Sequence, residues 1–217
     1  MALRISENLT ISFGFAKDGL VGHWLRWIIL IVVTAIPILD FITLGYLVKI
    51  FKGGNVAPEL EGYLGMFVDG IKLAIIALAY LIIPIVLIVA GIIFAGGVSA
   101  ATGLILILIG IVLALILGFV GPIGAIRFAK TERMREGVNF KAIFATIKEI
   151  GWGHYILSYI VLVIVLSIVA VIIGILIGIL EGIFTNVLWL GWLIPMIVMP
   201  VFLLWKGKFY ENLYSRA

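Results

Sequence analysis

The sequence predicts an all-α integral membrane protein, a helical bundle of about five membrane segments with short amphipathic helices on its inner surface. Three observations carry this. Hydrophobic residues make up 65% of the chain, mean hydropathy is +1.34 and only 12% of residues are charged. Soluble domains use roughly 45–50% apolar residues, so the bilayer has to be the solvent for most of this chain. No segment alternates apolar and polar residues as barrel strands do, which leaves helices to satisfy the backbone within lipid. No hydrophilic block is long enough for a separate soluble unit, and residues 1–217 read as one polytopic domain in the cell membrane.

The membrane segments fall at about 27–51, 71–94, 104–125, 155–180 and 187–205. The last four each hold roughly the 20 apolar residues that ~30 Å of hydrocarbon requires. Lys and Arg set their orientation. The connections from Lys49 to Lys72 and from Arg127 to His154 are basic, as is the tail with Lys206, Lys208 and Arg216, whereas 95–103 and 181–186 hold neither Lys nor Arg. The positive-inside rule puts both long connections and the C-terminus in the cytoplasm. The first twenty residues have no continuous apolar region leading to a small-residue cleavage site, so no cleaved signal peptide is expected.

The first segment, WIILIVVTAIPILDFITLGYLVKIF, carries Pro37 and Asp40 near its middle, and both are candidate functional residues. As a straight span it sends Arg4, Lys17 and Arg26 outside, against the charge rule. As a re-entrant hairpin it turns near Pro37 and keeps both ends inside. A carboxylate at mid-bilayer costs about 2.5–3.5 kcal/mol on insertion scales, so Asp40 should face protein or water. The order span, Pro-Ile, basic cluster, amphipathic segment, span occurs at 37–72 and again at 122–148, with a truncated copy after Pro195 or Pro200. That weak repeat tips the reading to the straight span, because the segment at 104–125 crosses from outside to inside.

Two stretches read as inner-surface helices. In VNFKAIFATIKEIGW, Phe140, Ile143, Phe144, Ile147 and Ile150 share one face. In PELEGYLGMFVDGIK, Leu60, Leu64, Phe67 and Ile71 do the same, with Pro58 suited to a first helical position. Arg127, Lys130, Arg133, Arg135, Lys141 and Lys148 are candidate contacts for anionic lipid headgroups or a membrane-protein partner. The basic balance reads as topology and lipid, not nucleic acid.

Small residues recur every four positions at Gly110, Ala114 and Gly118, and at Ala170, Gly174, Gly178 and Gly182. Such stripes let helix backbones approach closely, here joining the last two spans, with a homo-oligomer contact as the alternative. Trp189, Trp192 and Trp205 suit an interfacial aromatic belt.

From Pro37 to Pro84 the chain resembles an uncharacterised, largely archaeal family of prokaryotic multi-pass membrane proteins, a domain of unknown function (four-zero-one-three). The resemblance rests on Pro37, Gly45, Tyr46, Lys49, Pro58, Glu59, Leu60, Phe67, Gly70, Lys72, Tyr80 and Pro84. It implies an integral membrane protein and supplies no activity or catalytic residues.

Enzyme chemistry finds little support. Cysteine is absent, which excludes disulfides, thiolate metal sites and cysteine nucleophiles. His23 and His154 stand beside tryptophans at segment borders without the spacing of a metal site, no glycine loop precedes a Lys-Ser/Thr pair, and Ser99, Ser158 and Ser167 have no nearby base. No cofactor is expected. The leading expectation is a non-enzymatic scaffold or accessory subunit working at the cytoplasmic face. The alternative is a small transporter or channel that uses Asp40 in a polar cleft.

Overall fold

The structure, a computed structural model, describes residues 4–183 and 190–216. The described residues form helices α1 (Ile5–Leu20), α2 (Trp24–Ala35), α3 (Asp40–Phe51), α4 (Tyr63–Gly97), α5 (Ala100–Thr131), α6 (Met134–Gly137), α7 (Phe140–Ile150), α8 (Trp152–Ile183) and α9 (Leu190–Tyr214). Four of these, α4, α5, α8 and α9, are long and apolar enough to cross a membrane. The start of the expected fifth segment and Trp189 lie outside the described residues.

The first segment is broken, not straight. Pro37 disfavours a helical conformation in the residue before it, and Ile36 is accordingly extended, at φ −109° and ψ 112°. Helices α2 and α3 have 12 residues each, about 18 Å, and neither alone crosses the hydrocarbon. They fold back on one another as a hairpin. Thr34 Oγ1 lies 3.0 Å from Thr43 Oγ1 near the turn. At the open end Arg26 pairs with Glu59 at 3.0 Å, and Lys49 donates to the Glu59 and Glu61 carbonyls. The start of α2 therefore sits beside the end of α3. The repeat that favoured a straight span also fails in detail, because Pro122, Pro195 and Pro200 lie inside continuous helices.

Close backbone approach fixes α3 against α4. A Cβ on Gly45 would overlap the Met66 carbonyl, and one on Gly70 would overlap the Phe41 carbonyl. Helices α4 and α5 then form a long antiparallel pair. Their turn is only Val98–Ser99, shorter than the expected 95–103, and the Ser99 side chain caps α5 by accepting from Thr102 N at 3.3 Å. Gly91 and Gly103 meet each other's backbone, and Gly110 packs on Ile88 and the Pro84 carbonyl.

The expected surface helix at 58–72 does not form. Residues 53–62 are irregular, Gly62 at φ +68° starts α4, and the helix runs unbroken from Tyr63. Leu64 is exposed while Met66 is buried, so the apolar face is rotated from the expected one. Helix α7 does form where expected, but Ile143 and Ile147 are fully buried in the protein core. Only Phe140 and Phe144 on that face remain exposed.

Helix α1, unexpected from sequence, bends 97° from α2 and lies across the end of α9. Its buried face is Asn8, Ser12, Phe15, Ala16, Gly19 and Leu20. Asn8 donates to the Phe209 carbonyl at 3.1 Å, and Asn212 donates back to Asn8 Oδ1 at 2.9 Å. Trp205 is buried here too, edge-on to Phe13 and donating to the Leu9 carbonyl, so it belongs to the core and not to an aromatic belt. Burial concentrates at this end of the bundle. Helix α8 is the least buried of the long helices, with only 6% of the residues in its most apolar stretch buried.

Candidate functional site

Pro37 and Asp40 divide the labour of the hairpin turn. Pro37 ends α2, and Asp40 is the first residue of α3, where a carboxylate complements the positive end of the helix dipole. Asp40 N–H donates to the Ile36 carbonyl at 2.9 Å, and Thr43 hydrogen-bonds the Asp40 side chain. Asp40 does not line the large cavity described below.

Several of the residues from Pro37 to Pro84 that carry the family resemblance join α3, the loop after it and α4. Tyr46 OH donates to the Pro58 carbonyl at 2.9 Å, Lys49 holds the 59–61 backbone, and Glu59 receives Arg26. Gly45 and Gly70 make the two close approaches of α3 and α4. Tyr80 OH donates to the Gly137 carbonyl at 2.7 Å, tying α4 to α6. Their shared work is to lock the hairpin, the following loop and α4 into one unit.

The six candidate basic residues divide into two sets. Arg127 donates to the Glu136 carboxylate and to Thr146 Oγ1, and Lys130 pairs with Glu211 at 3.3 Å. These two are structural. The Arg127 contact, joined by hydrogen bonds from Asn139, holds the Glu136 carboxyl below its ordinary 4.5. Arg133, Arg135, Lys141 and Lys148 are exposed; Arg135 adds a through-space attraction to Glu136, and the other three side chains make no ion pair with any described residue.

A buried network that the sequence reading missed joins α9 to its neighbours. Glu211 pairs with Lys208 at 2.7 Å, with both side chains at most 7% exposed, and accepts from Ser215 at 2.6 Å. Lys208 also donates to the Gly54 carbonyl at 2.9 Å. Lys52 and Glu132 close a second link at 2.6 Å. Spacing of three residues between Lys208 and Glu211 was a visible signal; the partners on other elements were not.

The small-residue stripes also divide. Gly110 is a packing residue, but a Cβ on Gly118, Gly174, Gly178 or Gly182 would meet nothing within 4 Å, and Ala170 is exposed. The α8 stripe therefore does not join α8 to α9. Among the described residues, none packs on these glycines.

Gly118 instead lines a cavity of about 480 Å³ between α3, α4, α5, α8 and α9. Small-molecule sites span roughly 300–1,000 Å³. Its walls are apolar apart from Tyr80, Tyr159, Tyr210 and Lys206. Helix α8 is pinned to α5 at one point, where Tyr155 OH donates to the Phe119 carbonyl at 2.6 Å and Phe119 stacks edge-on against Tyr155 and Tyr159. The absence of side chains at Gly118 and Gly121 leaves the space beside that pin open.

No curated protein and no solved structure matches the chain. Residues 28–179, well over half its length, match the family described as Protein of unknown function (DUF4013), and the chain belongs to that family.

Proposed function

We propose that the protein is a non-enzymatic, multi-pass scaffold or accessory subunit of the cell membrane, whose basic end faces the cytoplasm and engages anionic lipid headgroups. The observation that supports it is the separation of the basic residues at that end. Arg127, Lys130 and Lys208 are used internally, while Arg133, Arg135, Lys141 and Lys148 stay exposed beside Phe140 and Phe144. Cations next to exposed aromatics match a headgroup layer, where each basic residue is worth about 1 kcal/mol. Transport through an Asp40 cleft is the weaker reading, because Asp40 starts a helix at the hairpin turn and stands outside the large cavity.

Hydrogen exchange in nanodiscs tests this. Raising the fraction of anionic lipid should protect residues 133–151, and replacing Arg133, Arg135, Lys141 and Lys148 together with glutamine should remove that dependence. Exchange that ignores lipid charge in the native protein rejects headgroup binding. Co-purification of a partner that the same substitutions abolish would move the surface from lipid to protein.

A further inference from the structure

We infer that the cavity between α3, α4, α5, α8 and α9 is a binding site for one anionic phospholipid, its tail in the apolar chamber and its phosphate on Lys206. This goes beyond headgroup contact at the exposed basic residues and rests on different side chains.

The first support is the state of Lys206. It lines the cavity and makes no ion pair or hydrogen bond with any described residue. Lys208 on the same helix and Lys130 on α5 are otherwise engaged, Lys208 with Glu211 and Gly54, and Lys130 with Glu211. Lys206 is exposed at the edge of the chamber, so its ammonium is open to an anion that enters there and makes a charge-assisted contact. Glu211, the acid nearest in sequence on α9, is already shared by two lysines.

Second, two further donors line the same chamber. The Tyr159 and Tyr210 rings stand 6.3 Å apart and line the chamber, and neither hydroxyl hydrogen-bonds to any described residue. An ammonium and two phenols make a donor set for phosphate oxygens. Tyr80, by contrast, already donates to the Gly137 carbonyl. Pro122 has no N–H, so the Gly118 carbonyl lacks its helical donor and offers an acceptor on the opposite wall.

Third, shape and depth agree. Lys206 and Tyr210 lie at the basic end of α9, and the chamber runs inward along α5 from Ala125 to Leu117. Eight helical residues rise about 12 Å, enough for the upper part of a hydrocarbon tail. Along the most apolar stretch of α8 few of the described residues are buried, which leaves the tail a way into the bilayer. Charge at the mouth and an apolar passage beneath it select an amphiphile over a soluble anion.

Native mass spectrometry after reconstitution in an equimolar mixture of phosphatidylglycerol and phosphatidylcholine with identical chains tests the site. The native protein should retain phosphatidylglycerol preferentially. Lys206→Met should reduce that preference about fivefold, Lys206→Arg should preserve it, and Gly118→Leu should reduce retention of both lipids by filling the chamber. The glutamine variant at Arg133, Arg135, Lys141 and Lys148 should keep the retained lipid, which separates this site from the exposed surface. Equal retention of the two lipids by the native protein overturns the inference, and needs no variant to fold. So does a preference that survives both Lys206→Met and Gly118→Leu. Loss confined to the glutamine variant overturns it in favour of the surface. A response to Gly118→Leu without one to Lys206→Met takes the phosphate off Lys206 and overturns the assignment.

Discussion

Thr34 and Thr43 share a hydrogen bond at 3.0 Å although nine residues separate them. In a continuous helix that separation is about 13 Å, so the contact exists only because the chain reverses at Pro37. The pair predicts a cross-link. Cysteines at both positions should oxidise to a disulfide, whose sulfurs need to come within about 2.05 Å, with loss of both free thiols by mass spectrometry. The native chain has no cysteine to compete. A pair at Thr43 and Val98 should stay reduced. Two free thiols at 34 and 43 after oxidation would restore the straight span.

Glycine spacing predicts opposite outcomes at positions that look alike in sequence. Gly70→Ala places a methyl group on the Phe41 backbone carbonyl, which cannot move without shifting α3. Overpacking of this kind costs about 1–3 kcal/mol, and a backbone obstacle puts it at the upper end. Gly178→Leu enters open space and should leave the melting temperature in detergent unchanged. Thermal unfolding of the two variants side by side decides it. A destabilised Gly178→Leu with an unaffected Gly70→Ala would reverse the assignment of the packing face.

These contrasts show what the sequence could carry. The four long spans were legible because twenty consecutive apolar residues have few alternatives to a membrane helix. The α8 stripe misled because spacing identifies a face but not its neighbour; Gly174 and Gly178 have the same period as Gly110 and pack on no described residue. Helix α1 was hidden for a different reason. Its buried face begins with Asn8 and Ser12, which satisfy one another and Asn212, so the periodicity is polar and an apolar search passes over it. Lys206 counted only as a topology charge, because nothing local distinguishes it from Lys208. Their difference lies in Gly54 and Glu211 reaching Lys208. The family residues from Gly45 to Tyr80 were readable as a pattern, yet their contacts show a structural lock.

Acid should loosen the junction of α5 and α6. Arg127, then Asn139, hold the Glu136 carboxyl below 4.5, so its folded value lies under its unfolded one. A depressed carboxylate contributes stability that is present above the unfolded value and lost as pH falls through the folded one. Melting temperature in detergent should therefore fall as pH drops below about 4.5, and Glu136→Gln should flatten that part of the profile. Parallel profiles for the two proteins would remove Glu136 from the acid response.

The strongest single dependence should be on Glu211. Its carboxylate accepts from Lys208, Lys130 and Ser215, and it and Lys208 are almost fully shielded from solvent. Glu211→Gln keeps the shape but leaves two cations facing each other, with Lys208 buried. Breaking a buried pair from one side costs about 3–5 kcal/mol, because the remaining charge has no compensation. Lys208→Met together with Glu211→Leu removes both members of the buried pair and should recover part of the loss, leaving Lys130 free to reach solvent. The measurement is thermal unfolding of the single and double variants in one detergent, with the two changes also made separately to close the cycle. Recovery in the double variant identifies the cost as an unpaired buried charge. A double variant as unstable as Glu211→Gln would instead place the contribution in the link to Lys130, which both versions lose.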